Sequence, residues 1–89
     1  MTEIAFSSSF KRAFKKRIEG RKPLEDKFWK RVEMFKADPY DARLRTHKLS
    51  GDLQEFWSFS IEYDVRVVFQ FATQHRAVFT DIGSHDEVY

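Results

Sequence analysis

The sequence predicts an α+β domain: an N-terminal antiparallel helical hairpin packed on a twisted, mainly antiparallel sheet of three to four strands. Three observations carry this. Apolar residues up to position 37 recur at helical spacing, those after position 56 alternate with polar ones, and only about three residues separate the two helical segments. Eighty-nine residues leave room for one core, so residues 1–89 are read as a single domain. The apolar fraction is 42%, much of it in ten Phe, two Trp and three Tyr. Each buried aromatic removes a large area from water, so a few can hold a domain of this size.

Thr2 to Phe6 reads as a short edge strand. Ser7, Ser8 and Ser9 offer cap hydroxyls for a helix from about Phe10 to Glu19, whose Phe10, Phe14 and Ile18 form one apolar stripe beside Ala13. Lys11, Arg12, Lys15, Lys16 and Arg17 cover the other faces, and Gly20 suits a left-handed C-terminal cap. Pro23 fits the first turn of a second helix, with Leu24, Phe28, Val32 and Phe35 as its stripe. That helix must stop near Ala37, because Asp38 precedes Pro39 and is driven from the α region.

The second half changes to period two. Trp57, Phe59, Ile61 and Tyr63 alternate with Ser58, Ser60 and Glu62 in one strand; Val65, Val67, Phe69 and Phe71 alternate with Arg66, Val68 and Gln70 in the next. Thr73 to Arg76 reads as a turn and Ala77 to Ile82 as a third strand; Leu44 to Lys48 is a candidate fourth, ahead of a Ser50-Gly51-Asp52 turn. A three-residue loop, Tyr63 to Val65, pairs Ile61 with Val67, Phe59 with Phe69 and Trp57 with Phe71. A two-residue loop would set Ile61 against Arg66 and mix the faces, so burial favours the former. The opposite face then carries Ser58, Ser60, Glu62, Arg66, Val68 and Gln70, a polar surface with a central arginine.

The absence of cysteine excludes disulfides and thiolate metal sites. No signal-peptide pattern opens the chain and no run approaches membrane-spanning length, so the expectation is a soluble cytoplasmic protein without membrane association. Net charge is +2 but lopsided: residues 1–50 hold 14 Lys/Arg against 7 Asp/Glu, and residues 51–89 hold 2 against 7. A basic half suits either a phosphate- or carboxylate-rich partner or a solvated helical face.

His47, His75 and His85 lack metal-ligand spacing, so neither a metal nor another cofactor is expected. His75 falls in a turn. His47 and His85 flank the sheet that presents Arg66, and that trio suits RNA cleavage: a base for the 2′-OH proton, an acid for the departing 5′ oxygen, and a fixed cation for phosphate oxygens. Imidazole fills either proton-transfer role. Tyr89 is either a base-stacking or proton-donating residue or a frayed terminus.

Three segments then resemble the RelE family of bacterial toxins of toxin–antitoxin systems, in particular its YoeB-like and YafQ-like branches. HKLSGDLQEFWS (His47 to Ser58) is similar to the family's lead-in to the central sheet, DVRVVFQF (Asp64 to Phe71) to its arginine-bearing strand, and DIGSHDEVY (Asp81 to Tyr89) to the YafQ-like ending. The basic hairpin before them agrees in order and length. The resemblance implies that Arg66 contacts the scissile phosphate, that His85 is catalytic, that Tyr89 is the terminal aromatic, that His47 takes part in proton transfer and that Asp64 is linked to activity. A second histidine of the YafQ-like pattern falls near Ser60, and serine cannot replace it at neutral pH, so which imidazole is base and which is acid stays open. Lys11, Lys15 and Lys16 on the first helix and Arg45 and Lys48 before the sheet are the candidate RNA contacts. The implied activity is metal-free cleavage of mRNA in the ribosomal A site, blocked by a cognate antitoxin. Its partners are thus mRNA, the ribosome and an acidic antitoxin segment. Competing readings are a ParE-like toxin directed at DNA gyrase, against which the GSHDEVY ending speaks, and a catalytically inactive binding module of the same fold.

Overall fold

The computed structural model describes residues 1–51 and 55–89. Asp52 of the Ser50-Gly51-Asp52 turn, and the Asp52 to Gln54 part of the first motif, lie outside the described residues. The elements run β1 (Glu3–Phe6), α1 (Ser8–Arg17), α2 (Lys22–Ala37), a 3-10 turn (Ala42–Leu44), β2 (His47–Lys48), β3 (Trp57–Glu62), β4 (Val65–Thr73), β5 (Arg76–Gly83) and α3 (His85–Val88). They form one sheet of five strands in the order β1-β5-β4-β3-β2. Both short segments thus contribute a strand, giving one more than the three to four expected. Of the expected Leu44 to Lys48, however, only His47–Lys48 is extended, because Leu44 ends the 3-10 turn and Arg45 turns left-handed after it. β1 is parallel to β5, and the other pairs are antiparallel.

The serine run caps α1 as expected: the Ser7 hydroxyl accepts from the Phe10 N–H at 3.1 Å. Gly20, with φ of 88°, turns the chain toward α2, where Pro23 occupies the first turn. The helices meet through Phe28, whose ring lies 5.9 Å from Phe10 and 5.1 Å from Phe14. Phe35 joins α2 to the sheet, with ring centroids 4.9 Å from Phe59, 5.0 Å from Phe69 and 5.4 Å from Phe79. One side chain thus contacts three adjacent strands, and its burial is complete.

The β3–β4 register corrects the expected pairing. Glu62 pairs with Val65 across a two-residue turn at Tyr63-Asp64, and a bulge at Ile61 shifts the rest, so Ser60 faces Arg66, Ser58 faces Val68, Phe59 faces Val67 and Trp57 faces Phe69. The tight turn closes the shorter loop, and the extra residue in the bulge restores the alternation that such a turn would otherwise invert. The face assignment therefore survives for Ser58, Ser60 and Arg66 while every partner moves. Glu62 is the exception. Its carboxylate lies 3.7 Å from Lys27 of α2, on the helical side.

β1 borders β5 only as far as Phe79. Beyond it, α1 seals the open edge. The Ser9 hydroxyl donates to the Thr80 carbonyl at 2.7 Å, and an Arg17 guanidinium N–H donates to the Ile82 carbonyl at 2.9 Å. A sheet edge left bare would offer a row of unpaired groups to any passing strand, so this helix also protects the sheet. No helix among the described residues is long and apolar enough to cross a membrane.

Candidate functional site

The helices cover one face of the sheet, leaving the other for chemistry. Two rows of side chains cross it. In the first, His47 of β2 stands opposite Ser58, and Ser58 opposite Val68. In the second, Ser60 stands opposite Arg66, and Arg66 opposite Gly83. Arg66 is half-buried and sits centrally, two strands in from the β2 edge.

α3 brings the C-terminus onto this face. Ser84 caps it on both sides: its hydroxyl accepts from the Glu87 N–H at 3.3 Å, and its own N–H donates to the Glu87 carboxylate at 2.7 Å. The spacing Ser84-x-x-Glu87 is a capping-box pattern, a signal of α3 that a reading for strands passes over. The Ser84 backbone N–H holds the Glu87 carboxyl below the usual carboxylate range, and Arg17 and Lys16 add to the effect. Arg17 ties the assembly to α1, lying 3.1 Å from Asp81 and 3.5 Å from Glu87. Gly83 allows this closeness. A Cβ there would lie 2.8 Å from a Glu87 oxygen and 2.9 Å from an Arg17 nitrogen.

The result is that Tyr89 is docked rather than frayed. Its hydroxyl donates to the Ser58 hydroxyl at 2.5 Å, and its ring meets the His85 ring edge-on at 4.6 Å. Ser58 is fully buried beneath it. A chain of neighbours therefore runs His85, Tyr89, Ser58, His47 across the face. The His47 ring nitrogen Nδ1 is 3.0 Å from the Arg45 carbonyl, which orients it, and His85 Nδ1 is 3.6 Å from the Asp86 carboxylate. Both imidazoles are exposed. His75, at the β4–β5 turn, is remote from this chain of contacts.

The other expected site residues separate. Asp64 lies in the β3–β4 turn and lines a groove with Lys16, Arg17, Arg21, Ser84 and Glu87; no hydrogen bond or ion pair among the described residues joins it to either histidine. Lys16 also borders, with Arg12, a groove beside Val68, Thr80 and Asp81 on the open face. Lys11 and Lys15 instead line an apolar groove of about 300 Å³ with Phe6, Phe14 and the half-exposed Trp29. Lys48 is exposed on β2 beside His47. Arg45 lines a groove with Arg66, Arg43 and Arg31, the last two not singled out by the sequence. Ser58 was placed on the right face by alternation, but its bond to Tyr89 has no local signal. Among the described residues, no three His, Asp or Glu side chains converge as a metal-binding group.

The fold has counterparts. The structure of YafQ from E. coli strain BL21(DE3) superimposes with a TM-score of 0.81 at 16% identity, over 100% of this chain and 99% of that one. The YoeB/ParE toxin from Agrobacterium tumefaciens gives 0.76 at 16% identity, over 94% and 99%. A chain of the E. coli DinJ-YafQ toxin–antitoxin complex gives 0.73 at 18% identity, over 99% and 97%. At these identities the likeness shows the fold. No curated protein sequence matches the chain. The profile of the family described as bacterial toxin of type II toxin-antitoxin system, YafQ, matches residues 2–89, and by that match the chain belongs to the YafQ family of toxins.

Proposed function

We propose that this toxin is an endoribonuclease that cuts mRNA, in the ribosomal A site, and is held inactive by a cognate antitoxin. The observation that supports this most is the chain of neighbours His85, Tyr89, Ser58 and His47 on the open sheet face, with Arg66 in the adjacent row opposite Ser60. Arg66 supplies a permanent cation for the phosphate, where charge grows as the phosphorus becomes five-coordinate. One imidazole takes the 2′-OH proton. The 2′ oxygen bonds to phosphorus, the bond to the 5′ oxygen breaks, and the other imidazole delivers a proton to that oxygen, leaving a 2′,3′-cyclic phosphate and a 5′-OH. Tyr89 holds His85 in place by an edge-on ring contact while its own hydroxyl is anchored on Ser58. Lys16 and Arg12 border the face and suit phosphates farther along the strand.

The antitoxin part of the reading rests on family membership and on the solved YafQ and YoeB complexes with their antitoxins DinJ and YefM. An action on translating ribosomes would place the protein in the cytoplasm.

The test is to add purified protein to translating ribosomes and map message ends for wild type, His85→Ala and Arg66→Ala. A-site cuts by wild type, with loss on the order of 10²-fold or more in each variant, are expected. Message that stays intact at every concentration would sink the nuclease reading. Gyrase poisoning in a parallel supercoiling assay would favour the ParE-like one.

A further inference from the structure

Only Arg66 of the arginine groove beside the open face has a role in the chemistry above. It has a volume of about 570 Å³ and is lined by Arg31 of α2, Arg43 and Arg45 of the connection into β2, Arg66 of β4, and Ser60 to Tyr63. Its charges are unevenly answered. Arg43 is held by Asp41 through two contacts of 3.0 and 2.8 Å, and the lining carboxylate of Glu62 faces Lys27. Among the described residues, no carboxylate lies within ion-pair distance of Arg31, Arg45 or Arg66. Arg31 still feels the Asp41 carboxylate, whose pKa it helps to lower. Arg45 and Arg66 have no such partner among the described residues, so the groove keeps a net positive lining suited to an anion of several charges.

Two features show that the groove is built. An Arg31 guanidinium N–H donates to the Arg43 carbonyl at 2.7 Å, fixing the α2 side to the connection. Arg45 takes a left-handed backbone, φ 54°, which is strained for a residue with a Cβ. This turn points the Arg45 carbonyl at His47 while its side chain lines the groove. The same residue therefore orients an imidazole of the site and charges the neighbouring channel. β2 pairs with β3 only at Trp57 and Ser58, so the groove follows a stretch of β3, Ser60 to Glu62, whose outer edge no described strand covers. At its end stands Tyr63, 94% exposed, an open platform for stacking a base.

We infer that this groove carries the backbone of single-stranded RNA next to the cut, with Arg31 and Arg45 each holding a phosphate beyond the one at Arg66. Continuity through Arg66 and the exposed ring of Tyr63 favour a nucleic acid over an acidic protein segment. The inference rests on the nuclease reading but is tested apart from it.

The probe is a fluorescent single-stranded RNA carrying 2′-O-methyl groups, which cannot be cut, titrated by anisotropy across a salt series. Each phosphate contact on a single strand contributes about 0.7 to the slope of log affinity against log salt. Arg45→Gly removes the guanidinium while suiting the left-handed backbone, and is expected to lower the slope by about 0.7 with the melting temperature kept. Arg45→Gly with Arg31→Gln is expected to lower it by about 1.4. Unchanged slopes in both variants, while the wild type still cuts message, overturn the groove and spare the nuclease reading. Lowered slopes with message uncut by the wild type support the groove and sink the nuclease. Oligoglutamate that binds wild type and not the double variant, while the RNA slope holds, overturns the RNA assignment in favour of a protein partner.

Discussion

The Tyr89 hydroxyl donates to the fully buried Ser58 hydroxyl at 2.5 Å, tying the last residue of the chain to the middle of the sheet. Because the same ring rests edge-on against His85, this bond sets the position of a candidate proton-transfer group. Tyr89→Phe leaves the Ser58 hydroxyl buried without this partner and is expected to cost about 1–3 kcal/mol, whereas Tyr89→Phe with Ser58→Ala is expected to recover most of that loss. A double-mutant cycle on thermal unfolding checks the coupling, and additive losses would show that the bond is not formed in solution.

Gly83→Ala tests how α3 is seated. Its Cβ would displace both the Glu87 carboxylate and the Arg17 guanidinium, which are side-chain ends able to move. The expected result is a misplaced His85, with cleavage lowered by up to about 10²-fold, while the core and the melting temperature change little. Wild-type cleavage by this variant would mean that the Arg17–Glu87 contact does not position the histidine.

Acid should release α3 before the core unfolds. Glu87 titrates below its ordinary value of 4.5 in the folded chain, chiefly through the Ser84 N–H. A carboxyl whose folded pKa is lowered contributes fully above its unfolded value and loses that contribution as pH falls through the folded one. Docking of Tyr89, followed by its NMR signals, is therefore expected to hold from pH 7 to 5 and to weaken below 4.5. Glu87→Gln should remove that dependence. Asp41 behaves alike at the Arg43 connection, but over the lower window from 3.8 to about 2, because the Arg43 side chain hydrogen-bonds to it.

The two sides of α1 should act differently. Arg12→Gln with Lys16→Gln, beside the open face, is expected to reduce the salt slope of RNA binding by about 1.4. Lys11→Gln with Lys15→Gln, at the aromatic groove, is expected to leave it unchanged, and an equal loss in both pairs would show that RNA wraps the helix without regard to face.

Phe35→Ala removes the ring that meets Phe59, Phe69 and Phe79 at once, and is expected to destabilise the fold by about 3–5 kcal/mol in chemical denaturation. A loss below 1 kcal/mol would mean that the neighbouring rings close the cavity.

What the sequence by itself determined is which side of each element is apolar. Phe10, Phe14 and Ile18, then Phe28, Val32 and Phe35, marked the buried stripes of α1 and α2, and alternation set Ser58, Ser60 and Arg66 on the open face. Alternation constrains register only up to a shift of two, since both registers bury the same residues; the pairing of Phe59 with Val67 rather than Phe69 was therefore decided by the turn and the bulge at Ile61. Contacts between distant residues carry no period at all. Arg17 reaching Asp81, Tyr89 reaching Ser58, and Arg31 meeting Arg45 in one groove arise only when helices, sheet and C-terminus pack together. Local pattern named the histidines and set the arginine on the open face, and tertiary packing joined His85 through Tyr89 to Ser58 on it.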